Sequence, residues 1–221
     1  VFIGTGAKIL GNLSFSGGND DLIFEAGSTA SGGINGGGGV NNLTLQGAAG
    51  SNDTLPGSIT NFSTLTKDGL GQWTVSGSLS GFTIVTVKNG VLALTGNNAG
   101  YTGNLVVNPT GILEARAQSL PTKTPASANV NNVQNDGLVR FTQTDNGTYT
   151  GQITGAGSVV KLGAGVLTLT VSASSDVHPA SRRALDAFGE LEVEVGGVLE
   201  ICSNVLVKFH NDAVITMTAD Y

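Results

Sequence analysis

Apolar and polar residues alternate in short runs along the chain, and most of these runs follow a glycine. The unit is Gly-x-Φ-x-Φ, with Φ apolar, and it recurs as Gly71-Gln72-Trp73-Thr74-Val75, Gly90-Val91-Leu92-Ala93-Leu94, Gly111-Ile112-Leu113-Glu114-Ala115, Gly137-Leu138-Val139-Arg140-Phe141, Gly165-Val166-Leu167-Thr168-Leu169 and Gly197-Val198-Leu199-Glu200-Ile201. Residues two apart share one side of a strand, so each unit predicts a short strand with one face in a core. The leading glycine supplies the backbone freedom of a turn. Successive glycines lie 19, 21, 26, 28 and 32 residues apart. Upstream the same texture is looser, in Asp21-Leu22-Ile23-Phe24, Asn42-Leu43-Thr44-Leu45 and Ser58-Ile59-Thr60-Asn61-Phe62, and Leu22, Leu43 and Leu65 are spaced by 21 and 22.

A period of about 20 residues is the length of one solenoid coil built from two or three short strands, with the longer gaps holding insertions. The fold class expected is therefore all-β, a parallel β-solenoid, and residues 1–221 read as one such unit. An antiparallel barrel or sandwich is the alternative. It would need regular tight hairpins, and Asn-Gly occurs only at Asn35-Gly36, Asn89-Gly90 and Asn146-Gly147, irregularly placed. In the solenoid, Trp73, Leu92, Leu113, Val139, Leu167 and Leu199 form the inward core stack. Two stretches break the pattern. Ser31 to Val40 reads as a glycine-rich loop or a poorly packed coil edge. Residues 171–189 read as a short helical insertion, opened by Pro179 or Ser181, striped by Ala184, Leu185 and Phe188, and stopped by Gly189.

Composition sharpens this picture. The 221 residues include 34 glycines, and charged residues are only 12%. A net charge of −6 with no basic cluster argues against a nucleic-acid partner. No apolar run approaches the roughly 18 residues that a membrane-spanning helix needs. With Cys202 as the sole cysteine, no intrachain disulfide and no thiolate zinc cage is expected. The first ten residues lack the pattern of a signal peptide, so the chain is expected to be a mature or excised fragment.

A longer motif recurs at an offset of 94 residues: Leu65-Thr66-Lys67-Asp68-Gly69-Leu70-Gly71-Gln72-Trp73-Thr74-Val75 matches Val159-Val160-Lys161-Leu162-Gly163-Ala164-Gly165-Val166-Leu167-Thr168-Leu169. Together with Asn97-Asn98-Ala99-Gly100-Tyr101-Thr102-Gly103-Asn104-Leu105-Val106-Val107, and a second Tyr-Thr-Gly at Tyr149-Thr150-Gly151, it resembles the passenger-associated transport repeat of bacterial autotransporters, the autotransporter-associated β-strand repeat. The resemblance covers Leu65 to about Thr170. It implies a right-handed parallel β-helix exported to the surface of a Gram-negative outer membrane, or released from it, in an adhesin or toxin. It also implies a host cell-surface receptor or extracellular matrix component as partner, and a parent protein whose outer-membrane β-barrel is absent from this chain.

Candidate chemistry is sparse. No HExxH, Walker A or GxSxG motif is present, the only histidines are His178 and His210, and no cofactor or metal is expected. The chain therefore reads as non-enzymatic. Ser158 and Lys161 have the Ser-x-x-Lys spacing of some acyl-transfer sites, but on a strand they fall on opposite faces. Gly17 to Ile23 resembles one imperfect copy of a calcium nonapeptide. The alternative function is a β-helix polysaccharide lyase or hydrolase, for which Glu190, Glu192, Glu194 and Glu200 would be the grouped acids. Alternation places the first three on a solvated strand face instead. Binding is expected on the insertion, where His178, Arg182 and Arg183 stand beside apolar Leu185 and Phe188.

Overall fold

The computed structural model describes residues 1–55, 58–122 and 133–169, together with the strands Leu191–Val193, Val198–Ile201 and Val214–Met217. Every strand pairing among these residues is parallel and joins segments about one coil apart. The architecture is a parallel β-helix, as the 20-residue period requires.

Each coil has three sides. The first is stacked from Phe2–Ile3, Asp21–Glu25, Asn42–Gln46, Thr64–Lys67, the leading halves of Ile84–Leu94 and Asn104–Ala115, Val133–Asn135 and Ile153–Thr154. The second takes Asn52–Thr54, Gln72–Val75, the trailing halves of the two long strands, Leu138–Thr142, Ser158–Leu162 and Leu191–Val193. The third is built from strands at its two ends, with Leu13–Ser14, Ile34–Asn35 and Ile59–Thr60 at one and Gly147–Tyr149, Val166–Leu169, Val198–Ile201 and Val214–Met217 at the other. Between them Leu79, Phe82, Asn98, Tyr101 and the 3-10 turn Ala117–Ser119 fill the side without a strand.

Register follows the alternation. On the first side Leu22, Leu43, Leu65, Val85 and Leu105 stand directly over one another and are buried. On the second, Trp73, Leu92, Leu113, Val139 and Val159 do the same. Here the structure departs from a single six-member stack. Val139 is followed by Val159, whereas Leu167 and Leu199 pair with each other on the third side. Leu167 is buried all the same. The slip falls after Val139, which still stands over Leu113: the coil from Val139 returns to the second side at Val159, 20 residues on, so the Gly-x-Φ-x-Φ unit at Gly165, 28 residues after Gly137, falls one side further round.

The two 94-offset copies show the same slip. Leu65 belongs to the first-side ladder and its counterpart Val159 to the second. The repeat is related by translation along the rod plus one side of rotation. A smaller irregularity lies between Asn104–Ala115 and Ile84–Leu94, where Val87 faces Val107 but Asn89 faces Thr110. One strand therefore carries an extra residue, and Pro109, which has no N–H to give a ladder, falls in that bulge.

The Ser31 to Val40 stretch is a correction to the expected loose edge. It contains the strand Ile34–Asn35 with Ile34 buried, and its glycines fit where coils nearly touch. A Cβ on Gly36 would lie 2.2 Å from the Asn61 carbonyl oxygen. Glycine there is tight packing. The helical insertion expected at 171–189 lies outside the described residues.

Candidate functional site

His178, Arg182, Arg183, Leu185 and Phe188, the expected binding residues, all lie outside the described residues, as do Cys202, Glu190 and Glu194. Glu192 and Glu200 lie on the strands Leu191–Val193 and Val198–Ile201, in register with Val160 and Thr168 respectively. The chemistry that can be built from side chains is therefore that of the coil corners and outer columns.

The most elaborate polar cluster is at the corner between the first and second sides. Lys67 ends its strand in register with Leu45 and Val87, so its side chain enters the core, where it is 0% exposed. A buried ammonium needs acceptors, and Lys67 Nζ donates to the carbonyl oxygens of Asp68 at 2.8 Å, Gly69 at 2.9 Å and Asn89 at 3.1 Å. Burial lowers its pKa to about 8, against a smaller opposing pull from Asp68. On the outside of the same corner, Asp68 accepts from Asn89 Nδ2 at 2.7 Å, Lys88 Nζ at 3.0 Å and the Gly69 N–H at 2.8 Å. These donors, led by Asn89 and then Lys88, hold its carboxyl down at about 2. Thr110 on the following coil donates to Asn89 Oδ1 at 2.6 Å. One corner is thus tied through three coils.

Lys161 repeats the inner half of this arrangement between the second and third sides. It is also 0% exposed, donates to the Gly163 carbonyl oxygen, and has a pKa lowered by burial. Ser158 faces outward and is half-buried while Lys161 faces inward, so the pair has no acyl-transfer geometry.

Buried amides make the other corners. Asn41 Oδ1 accepts from the Asp20 N–H and its Nδ2 donates to the Asn61 carbonyl, each one coil away. Asn98 does the same between the Leu79 N–H and the Ser119 carbonyl, and Asn135 Nδ2 reaches the Ser158 carbonyl. Gln143 Oε1 accepts from the Ala117 N–H. All four are essentially unexposed. Each clasps backbone groups that a turn would otherwise leave orphaned.

On the outer second side, Glu114 and Arg140 stand opposite each other on adjacent coils and form an ion pair. Arg116 pairs with Asp145 at 3.3 Å and donates to Thr144 Oγ1 at 2.9 Å. The Gly17 to Ile23 segment uses its polar groups internally: Asn19 Oδ1 accepts from the Val40 N–H and Asp21 Oδ1 from Asn42 Nδ2. Among the described residues, no three side chains of metal-ligating type come together. Trp73 is buried with its Nε1 donating to the Gln46 carbonyl at 2.8 Å, and its ring meets Phe24 edge-on. It is a core residue.

Comparison of the chain with protein-family models, curated proteins and solved structures finds no match.

Proposed function

We propose that this chain is a rigid, non-enzymatic scaffold of a surface-displayed or secreted bacterial protein, an adhesin- or toxin-type passenger that meets host components through segments inserted between its coils. The observation carrying this proposal is the parallel β-helix itself. Its strands spend their backbone hydrogen bonds on one another, and Asp68 with Lys88, Glu114 with Arg140 and Arg116 with Asp145 spend outer charges in cross-coil ion pairs. Such a rod offers persistence and display more readily than an outward catalytic groove, and recognition then falls on loops held by it. The residues assigned to contact are His178, Arg182, Arg183, Leu185 and Phe188, two arginines beside apolar anchors, with a host cell-surface receptor or extracellular matrix component as partner.

The test replaces residues 174–188 with a short Gly-Ser linker. The β-type circular dichroism should persist while attachment to host cells or to immobilised matrix proteins falls. Unchanged attachment would remove the assigned residues from the interface, and loss of the fold would make the segment a structural cover.

A further inference from the structure

The chain holds three Asn-Gly dipeptides, identical in local chemistry and placed by the fold in three different environments. Asn35 lies in the strand Ile34–Asn35, where its Oδ1 accepts from both the Gly37 N–H and Asn61 Nδ2. The adjacent Gly36 N–H is given to the Thr60 carbonyl at 2.9 Å. Asn89 lies within the strand Ile84–Leu94 with its carboxamide held at both ends, Nδ2 by Asp68 and Oδ1 by Thr110. Asn146 differs from both. It is exposed, precedes its strand, and makes one side-chain bond, in which its Oδ1 accepts from the Val166 N–H at 3.1 Å. Its Nδ2 has no partner among the described residues.

We propose that Asn146 is a site of spontaneous modification, converting to aspartate and isoaspartate, while Asn35 and Asn89 are protected by the fold. The reaction needs only water. The Gly147 amide nitrogen gives up its proton and bonds to Asn146 Cγ, the Cγ–Nδ2 bond breaks, and Nδ2 takes a proton and leaves as ammonia. Water then opens the five-membered imide at either carbonyl, giving the two acids. Glycine as the following residue sets no Cβ beside the attacking nitrogen. The Val166 N–H on Oδ1 stabilises the oxyanion that forms as nitrogen adds to Cγ. At Asn89 the leaving nitrogen is tied to a carboxylate, and at Asn35 the attacking nitrogen is tied to a carbonyl, so both need local opening first.

The two products differ in consequence. Aspartate at 146 keeps an oxygen for the Val166 N–H and adds a negative charge next to Asp145, the partner of Arg116. Isoaspartate lengthens the backbone by one carbon directly before Gly147–Tyr149, which is registered on Val166–Leu169. It therefore loosens that third-side ladder.

The experiment is peptide mapping with isoaspartate detection after holding the intact, folded chain at mildly alkaline pH, beside the same chain in urea. In urea the three sites should convert at similar rates. In the folded chain Asn146, whose Gly147 is the first residue of a short strand and whose Nδ2 is untied among the described residues, should slow least, and Asn35 and Asn89 should convert at least about tenfold more slowly than Asn146, since their bonds must open before attack. Asn146→Gln should abolish new acid at that position without changing the other two rates. Equal protection of all three sites in the folded chain, or conversion at Asn35 or Asn89 ahead of Asn146, would overturn the proposal.

Discussion

The two copies of the Lys-x-Gly-x-Gly motif turn the chain through equivalent corners at different places on the rod. Gly69 and Gly163, at matching positions, have φ of +75° and +86°, where a side chain would be strained. Added Cβ atoms at Gly71 and Gly165 would lie 2.1 Å from Ser51 Oγ and 2.2 Å from the Asp145 carbonyl oxygen. The preceding lysine is buried in both. Yet the first copy leads from the first side to the second and the other from the second to the third. The motif therefore encodes a corner, independent of which corner it is. What the copies do not share is the residue after the lysine, Asp68 in one and half-buried Leu162 in the other. Only the first copy is laced to the next coil by a carboxylate.

The largest effects should come from the strands that follow the two corners. Leu92 is buried between Trp73 and Leu113 in its ladder, and Leu167 between Gly147 and Leu199. A glycine neighbour offers no side chain to lose contact with. Leu92→Ala should cost about 3 to 5 kcal/mol and Leu167→Ala about 2 to 3 in a denaturant titration. Equal costs would show that the third-side ladder is packed as densely as the second.

Next come the lysines. Lys67→Met removes a donor from three carbonyl oxygens, Lys161→Met, among the described residues, from that of Gly163. Methionine also relieves the cost of burying a charge, so the losses do not simply add. The first variant should lose about 1 to 3 kcal/mol and the second about 1 or less. A reversed order would mean that desolvation outweighs hydrogen bonding at Lys67.

Titration separates the copies further. Asp68 has its pKa lowered from 3.8 to about 2, so it binds its proton less readily folded than unfolded. Its contribution is present above pH 4 and is lost as pH falls towards 2. Asp68→Asn should flatten that acid limb, and Leu162, with no ionisable group, has no counterpart to it. The alkaline limb should unite the copies. Both lysines are lowered by burial, and between pH 8 and 10 the unfolded chain holds the Lys67 proton that the folded chain gives up. Stability from this group rises with pH there. Above pH 10 the sign turns, because burial raises the pKa of Tyr101 and Tyr149 and the unfolded phenols ionise first.

The corners also mark how far the sequence could be read. Alternation and a period of about 20 residues carry the coil and the inward positions of Trp73, Leu92, Leu113 and Val139, because a strand's two faces are written directly in its residue types. Lys67 and Lys161 were opaque to that logic. A lysine at an inward position reads as a break in the pattern until the carbonyls of its own turn are seen around it. The amides Asn41, Asn98, Asn135 and Gln143 fail for the same reason, since their partners lie a coil away and have no sequence signature. The slip that sends Leu167 to the third side arises because the strand Ser158–Leu162, which has no leading Gly-x-Φ-x-Φ unit, takes the second-side place above Val139, and spacing of the glycine units alone does not reveal that strand. Of the contact residues assigned by sequence, the described coils carry none.

The smallest expected effect tests the identity of the two corners most directly. Between its paired glycines the first copy carries Leu70, which is 68% exposed, and the second carries exposed Ala164. If the corner is set by the buried lysine and the two glycines, the residue between those glycines is a solvated tip with no structural duty. Leu70→Ala then converts one copy to the other at that position and should shift the unfolding midpoint by no more than about 0.5 kcal/mol in free energy. Its lysine and carboxylate bonds should survive, visible as an unchanged acid limb. A loss of 1 kcal/mol or more, on the order of a buried methyl or two, would show that Leu70 covers apolar surface of the coil, making the first corner a packed element that the second is not.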